Sequence, residues 1–191
     1  MVIDVLPYIQ QCAPKVAPST MLAIIKTESR GNPLAIGVNR KHRLLRQPKN
    51  IQQALAWVDY LDKHGHNFDV GLGQVNIRNI RKYGYKPAEM LEPCKNLRVA
   101  SDILYKNYHK ALTGSKNKNH ALHKALSAYN TGNYKRGFSN GYVQKVLVNG
   151  RVATHAVQQN TQKDNNLIFS SKSLIYAKSK VNEDKKSIHD W

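Results

Sequence analysis

The stretch Ala23-Ile24-Ile25-Lys26-Thr27-Glu28-Ser29-Arg30-Gly31-Asn32-Pro33 runs from hydrocarbon into a single glutamate and then into a helix breaker. With a helix start at Pro18, Ser19 and Thr20, the residues Met21, Ile25 and Glu28 recur at four- and three-residue spacing and share one face. A carboxyl on an apolar face is half withdrawn from water, which favours its neutral form and raises its pKa toward the range of a general acid near neutrality. Gly31, Asn32 and Pro33 stop the helix, because glycine admits left-handed backbone and proline cannot continue the hydrogen-bond ladder. Glu28 is therefore expected at a helix end, facing a cleft. Taken alone, a glutamate in a last helical turn most simply reaches solvent; the remainder of the chain reverses that preference.

Downstream lies a loop from Gly31 to about Asn50. From Ser29 to Val58 there is no Asp or Glu, while Arg30, Arg40, Lys41, Arg43, Arg46 and Lys49 accumulate, so the loop is a surface of one sign. It is either simply solvated or an electropositive rim for an anionic polymer. Ile51, Leu55, Val58 and Leu61 form one stripe, which predicts an amphipathic packing helix over 51–63 stopped at Gly65. His64 and His66 read as exposed structural residues rather than metal ligands. In Phe68-Asp69-Val70-Gly71-Leu72-Gly73-Gln74-Val75-Asn76 two glycines bracket a leucine, which lets backbone approach a ligand closely. Gln74 and Asn76 offer the neutral donors and acceptors that suit sugar hydroxyls and N-acetyl groups. The simpler assignment makes Asn76 the cap of a helix through Ile77 and Ile80, and Asp69 the cap of the turn before Gly71.

Around these segments the chain reads as helix. Ile3, Val5, Leu6 and Ile9 suggest a short helix within 3–12, broken early by Pro7. Leu97, Ala100, Leu104, Tyr108 and Ala111 predict a central helix over about 96–112. Leu122, Ala125, Leu126 and Tyr129 make another, ending in Tyr129-Asn130-Thr131-Gly132-Asn133, and Tyr142 to Val148 a closing one. From Asn149 periodicity fades and Gln158, Gln159, Asn160, Gln162, Asn165 and Asn166 crowd together, so 149–191 is expected to be a flexible polar tail behind an all-α domain over 1–148.

Composition bounds the function. The 191 residues with 41% hydrophobic content suffice for a real core, and the formal charge of +18 predicts attraction to nucleic acid, anionic lipid or anionic cell wall without choosing among them. Met21 to Ile25, the longest aliphatic stretch, is far too short to span a bilayer, and Met1-Val2-Ile3-Asp4-Val5-Leu6-Pro7 shows no export signal. Cys12 and Cys94 are the only cysteines and are either a disulfide or two buried thiols; without nearby histidine spacing they make no zinc site.

Jointly, Glu28-Ser29-Arg30-Gly31-Asn32-Pro33, Gly71-Leu72-Gly73-Gln74-Val75-Asn76 and Ala125-Leu126-Ser127-Ala128-Tyr129-Asn130-Thr131-Gly132-Asn133 resemble, in order and spacing, the lytic transglycosylases with a goose-type-lysozyme-like catalytic domain. The chain is most similar to their small type IV secretion and conjugation members, through Cys12-Ala13-Pro14 and Pro93-Cys94-Lys95-Asn96-Leu97. The resemblance implies a lysozyme-like helical fold, a Cys12–Cys94 disulfide, Glu28 as the sole catalytic acid and Ser29 as its support. It further implies glycan contacts from Gln74 and Asn76, and a motif at Tyr129 and Asn130 that closes over the cleaved sugars. Gly73 departs from the methionine of many relatives. The implied reaction is cleavage of the β-1,4 bond between N-acetylmuramic acid and N-acetylglucosamine with 1,6-anhydro ring closure. It is expected in the periplasm, on peptidoglycan strands, beside secretion or conjugation components, with no metal or organic cofactor and no direct nucleic-acid role. The alternatives are a muramidase-type hydrolase using Asp69 as second carboxylate, and a non-catalytic basic protein that grips glycan or nucleic acid.

Overall fold

The computed structural model describes residues 3–39 and 44–151. Helix α1 (Leu6–Cys12) starts with Pro7 in its first turn, so the proline opens the helix where its missing N–H costs nothing, instead of breaking it. Helix α2 (Pro18–Glu28) likewise begins on a proline and is the buried axis of the N-terminal half: Met21, Ile24 and Ile25 are fully buried. Its end is fixed by two successive left-handed residues, Arg30 (φ 55°) and Gly31 (φ 81°).

Three short antiparallel strands follow, which the sequence pattern does not announce. β1 (Ile36–Val38), β2 (Phe68–Val70) and β3 (Val75–Asn76) lie in that order, with Gly37 opposite Asp69 and Asp69 opposite Asn76. Strands of two or three residues carry too little alternation to be told from loop. The side chains of Ile36, Phe68, Val70 and Val75 enter the core, while Asp69 and Asn76 mark the polar face. Between β1 and β2, α3 (Ile51–Lys63) is capped by Asn50, whose side chain accepts from the Gln53 N–H. Its core face is Ala54, Val58 and Leu61; Ile51 and Leu55, expected in the buried stripe, are exposed on its flank.

Helix α4 (Ile77–Lys82) and a 3₁₀ turn (Pro87–Leu91) lead into the central helix α5 (Pro93–Leu112), which packs against α1 and against α6 (Lys118–Thr131). A disulfide joins Cys12, at the end of α1, to Cys94, at the start of α5. Gly132, left-handed at φ 66°, ends α6; α7 (Arg136–Ser139) and α8 (142–151) complete the described chain. The helical expectation holds, and no helix among the described residues is long and apolar enough to cross a membrane. The expected tail lies, except for its first three residues, outside the described residues.

Candidate active site

Glu28 is the last residue of α2, at the point where the buried stripe of Met21 and Ile25 runs out. Its side chain is largely withdrawn from water, and this burial is the main reason its pKa rises from 4.5 to about 7. The negative charge of Asp69 pushes in the same direction, while a hydrogen bond from Tyr142, whose hydroxyl donates to Glu28 Oε1 at 2.6 Å, pulls against it. Burial and the Glu28 charge hold Tyr142 well above the usual phenol range, so it stays a neutral donor. Tyr142 in turn is oriented at the start of α8 by Asn140, whose Oδ1 accepts from the Tyr142 N–H at 3.0 Å.

The loop 71–74 forms the floor next to this carboxyl, and four side chains hold it. The buried Ser29 hydroxyl donates to the Leu72 carbonyl at 2.8 Å. Tyr129 donates from α6 to the Gly73 carbonyl at 2.6 Å, and is itself held neutral by burial and by the Glu28 and Asp69 charges. Asn96, fully buried in α5, accepts from the Gly73 N–H at 2.8 Å and donates to the Val70 and Met90 carbonyls at 2.8 and 2.9 Å. Gln74, in a left-handed conformation (φ 45°), donates both amide hydrogens to the Ala35 and Gly71 carbonyls at 3.0 Å. Its carbonyl oxygen lies over Gly37, 2.6 Å from where a Cβ would stand. Glycine is required at 71, where an added Cβ would collide with Asn96 and the Met90 carbonyl, and at 73, where it would meet Ala100 Cβ at 2.7 Å and the Tyr129 hydroxyl at 2.9 Å. That crowding is a physical reason for Gly73 in place of a larger side chain.

Asp69 does not cap a turn. It lies within β2 and its two oxygens accept from the Asn39 and Asn76 side chains, at 2.8 and 2.7 Å, across the polar face of the sheet. Burial raises its pKa, and these two amide bonds partly restrain the rise. Asn76 is also the N-cap of α4, accepting from the Arg78 N–H at 3.1 Å and donating further to Asn67. The simpler reading of Asn76 is therefore what its side chain does, and its hydrogen-bonding capacity is largely committed to the fold. Asn130 is exposed at the end of α6 and accepts from Asn140 at 2.9 Å, joining α6 to the turn that precedes Tyr142.

Of the residues singled out from sequence, Glu28, Ser29, Gln74 and Tyr129 thus converge on the Glu28 carboxyl and the 71–74 floor, Asn76 on Asp69, and Asn130 stands on the rim. Sequence reasoning missed Tyr142, Asn39, Asn96 and Asn140. Tyr142 meets Glu28 across 114 residues, which no local pattern encodes. Asn96 stood within the Pro93-Cys94-Lys95-Asn96-Leu97 resemblance and next to the apolar stripe of α5, but neither signal pointed to its role in holding the 71–74 loop. Among the described residues no three His, Cys, Asp or Glu side chains gather in a way that could hold a metal ion. What the site can do is donate a proton from a neutral carboxyl near neutral pH, beside a second, fixed negative charge and a polar sheet face.

Comparison with known proteins bears on what substrate such a site takes. The family model described as the transglycosylase SLT domain matches residues 7–148. The type IV secretion system protein virB1 of Brucella abortus is 43% identical over 154 residues, covering 78% of this chain and 64% of the relative. The protein virB1 of Agrobacterium fabrum is 41% identical over 139 residues, covering 73% of this chain and 56% of the relative. That of Rhizobium radiobacter is 40% identical over 161 residues, covering 84% and 66%. The chain thus spans less than two thirds of the length of these relatives. The match runs from α1 to the middle of α8 and takes in Glu28, the 71–76 segment and Tyr142: the chain belongs to the transglycosylase SLT domain family.

Proposed function

We propose that the protein is a peptidoglycan lytic transglycosylase, cleaving the β-1,4 bond between N-acetylmuramic acid and N-acetylglucosamine without water and leaving 1,6-anhydromuramyl ends. The observation that carries this reading is a single carboxyl poised to give up a proton: Glu28, held to a pKa of about 7 and pinned through Oε1 by Tyr142. With Oε1 engaged, the proton resides on Oε2, the oxygen left to the glycosidic bond. Proton donation to the leaving oxygen lets the bond break through an oxocarbenium-like transition state. The Glu28 carboxylate so formed then accepts the proton of the muramyl C6 hydroxyl as that oxygen closes on C1. One residue serves as acid and then base, so no protein nucleophile is required. Asp69 contributes by charge: its anion adds to the burial that keeps Glu28 protonated in the resting site and stabilises the positive charge that develops on the sugar ring. Gln74, Asn130 and the polar sheet face are the proposed contacts of the glycan, with Ser29 and Tyr129 holding the floor beneath it.

One observation favours a muramidase instead, namely that Glu28 has a second carboxyl, Asp69, within electrostatic reach. Both oxygens of Asp69 are engaged by amides, which reduces their availability for attack. The name of the Brucella abortus relative places that protein with type IV secretion, and on that basis the proposed role here is local opening of the wall, in the periplasm, for a secretion or conjugation apparatus. The test is release of soluble fragments from purified peptidoglycan by the wild type and by Glu28→Gln. The variant is expected to sediment with the polymer as the wild type does and to release nothing; equal release would remove Glu28 from the chemistry, and binding without release by both would leave a basic glycan-binding protein.

A further inference from the structure

Behind β1 lies an open groove of about 1240 Å³ that plays no part in the chemistry above. Strand alternation sends Val38, which lines it, away from the face that carries Asp69, so the groove opens on the opposite side of the sheet from that polar face. Its walls are Leu44, Leu45 and Pro48 on one side and Trp57 and Tyr60 of α3 on the other. Leu45 is fully exposed, Tyr60 is 49% exposed and Trp57 39%. The aromatic wall is ordered by ring contacts: Trp57 meets Tyr60 edge-on with centroids 5.9 Å apart, and Tyr60 meets His64 at a tilt of 31° with centroids 4.1 Å apart. The opposite wall is pinned as well. The Gln47 side-chain amide caps β1, its Nε2 donating to the Ile36 carbonyl and its Oε1 accepting from the Ile36 N–H, both at 2.8 Å, and the Lys49 N–H donates to the Gln53 side chain of α3 at 2.9 Å.

The groove is therefore preformed, which removes much of the ordering cost of binding. Aromatic and leucine side chains left exposed together in one concavity mark an interaction site rather than ordinary surface. Its charge selects the partner. The ionisable side chains on its lining that carry charge or can gain it are Arg46, Lys49, Tyr60 and His66, with no carboxylate among them. Among the described residues Arg46 and Lys49 have no ion pair. A sugar would find one stacking surface here but aliphatic walls in place of hydrogen-bond partners, and one face of Tyr60 is already covered by His64.

We propose that this groove docks an acidic amphipathic segment of a partner protein, whose apolar side chains enter between Leu45 and the Trp57–Tyr60 pair while its carboxylates meet Arg46 and Lys49. Docking there leaves the Glu28 side open, so a bound partner localises the protein without blocking cleavage. Trp57 and Trp191 are the only tryptophans, which makes Trp57 a reporter in a Trp191→Phe background. The probe is a synthetic helical peptide with leucines along one face and glutamates on both flanks, titrated beside a scrambled peptide of identical composition and a version with lysine for glutamate. A saturable shift of Trp57 emission is expected with the first peptide alone. That affinity should fall as salt rises and drop by about tenfold or more in Arg46→Glu/Lys49→Glu and in Leu45→Asp, with thermal unfolding unchanged in both and peptidoglycan cleavage unchanged in Leu45→Asp. No saturable shift, or an equal response to the scrambled or lysine peptide, would overturn the proposal. So would a Trp57 shift with muropeptide fragments, which makes the groove a glycan subsite, or self-association abolished by Leu45→Asp, which makes it an interface between copies.

Discussion

At Glu28 three influences on one proton can be separated by substitution. Under the proposed mechanism Glu28 is protonated at the start of the reaction, so cleavage of isolated peptidoglycan should be full below neutrality and fall as pH rises through about 7. Asp69→Asn removes a charge that disfavours ionisation, so the falling limb should move to lower pH; Tyr142→Phe removes a bond that favours it, so the limb should move up. Opposite displacements in two variants cannot arise from a general loss of structure. The same proton is linked to stability. A carboxyl whose folded pKa lies above its unfolded value stabilises the fold in its protonated form, a contribution fully present below about 4.5 and lost as pH rises through about 7. Glu28→Gln should flatten that window in urea unfolding and leave the variant more stable than wild type above neutrality, by on the order of 1–3 kcal/mol. The acid itself was legible in the sequence, because Met21 and Ile25 on its own helix face already implied its withdrawal from water. Tyr142 was not, since its partner lies on the other side of the fold.

The 71–74 loop is the element on which precision depends. Its backbone is fixed from α2, α5 and α6 at once, by Ser29, Asn96 and Tyr129. Asn96→Leu keeps the branched shape in a somewhat larger side chain and removes three hydrogen bonds inside the core, leaving the Gly73 N–H without its acceptor and the Val70 and Met90 carbonyls without their donor. It should lower stability by about 3 kcal/mol in chemical unfolding. Gly73→Ala should act differently: its methyl crowds Ala100 Cβ and the Tyr129 hydroxyl, and under the proposed mechanism a misplacement of about 1 Å there costs up to about 100-fold in turnover. A variant that unfolded without losing turnover per folded molecule would contradict that assignment. The helices of this framework were readable from periodicity and their stops from Gly and Pro. The sheet was not, because its strands are as short as turns, and neither was the rotation of α3 that buries Ala54 in place of Ile51 and Leu55.

Across the whole molecule, the described residues form one helical body stapled where its first and central helices meet. The Cys12–Cys94 disulfide spans a sequence separation of 82, and removing it with Cys94→Ser should cost about 4 kcal/mol through the added freedom of the unfolded chain. Cysteine count alone left that pairing open; the family resemblance supplied it. The charge of +18 predicts attraction to polyanions, and under the proposed function binding to peptidoglycan should weaken with salt even in Glu28→Gln. Charge cannot distinguish a lyase from a hydrolase; the number of carboxyls that take part can. The most direct measurement is mass spectrometry of the soluble fragments released from purified peptidoglycan. Anhydromuramyl ends, lighter than reducing ends by one water and absent with Glu28→Gln, are the predicted result; reducing ends would contradict the one-carboxyl mechanism and make Asp69 the second catalytic group.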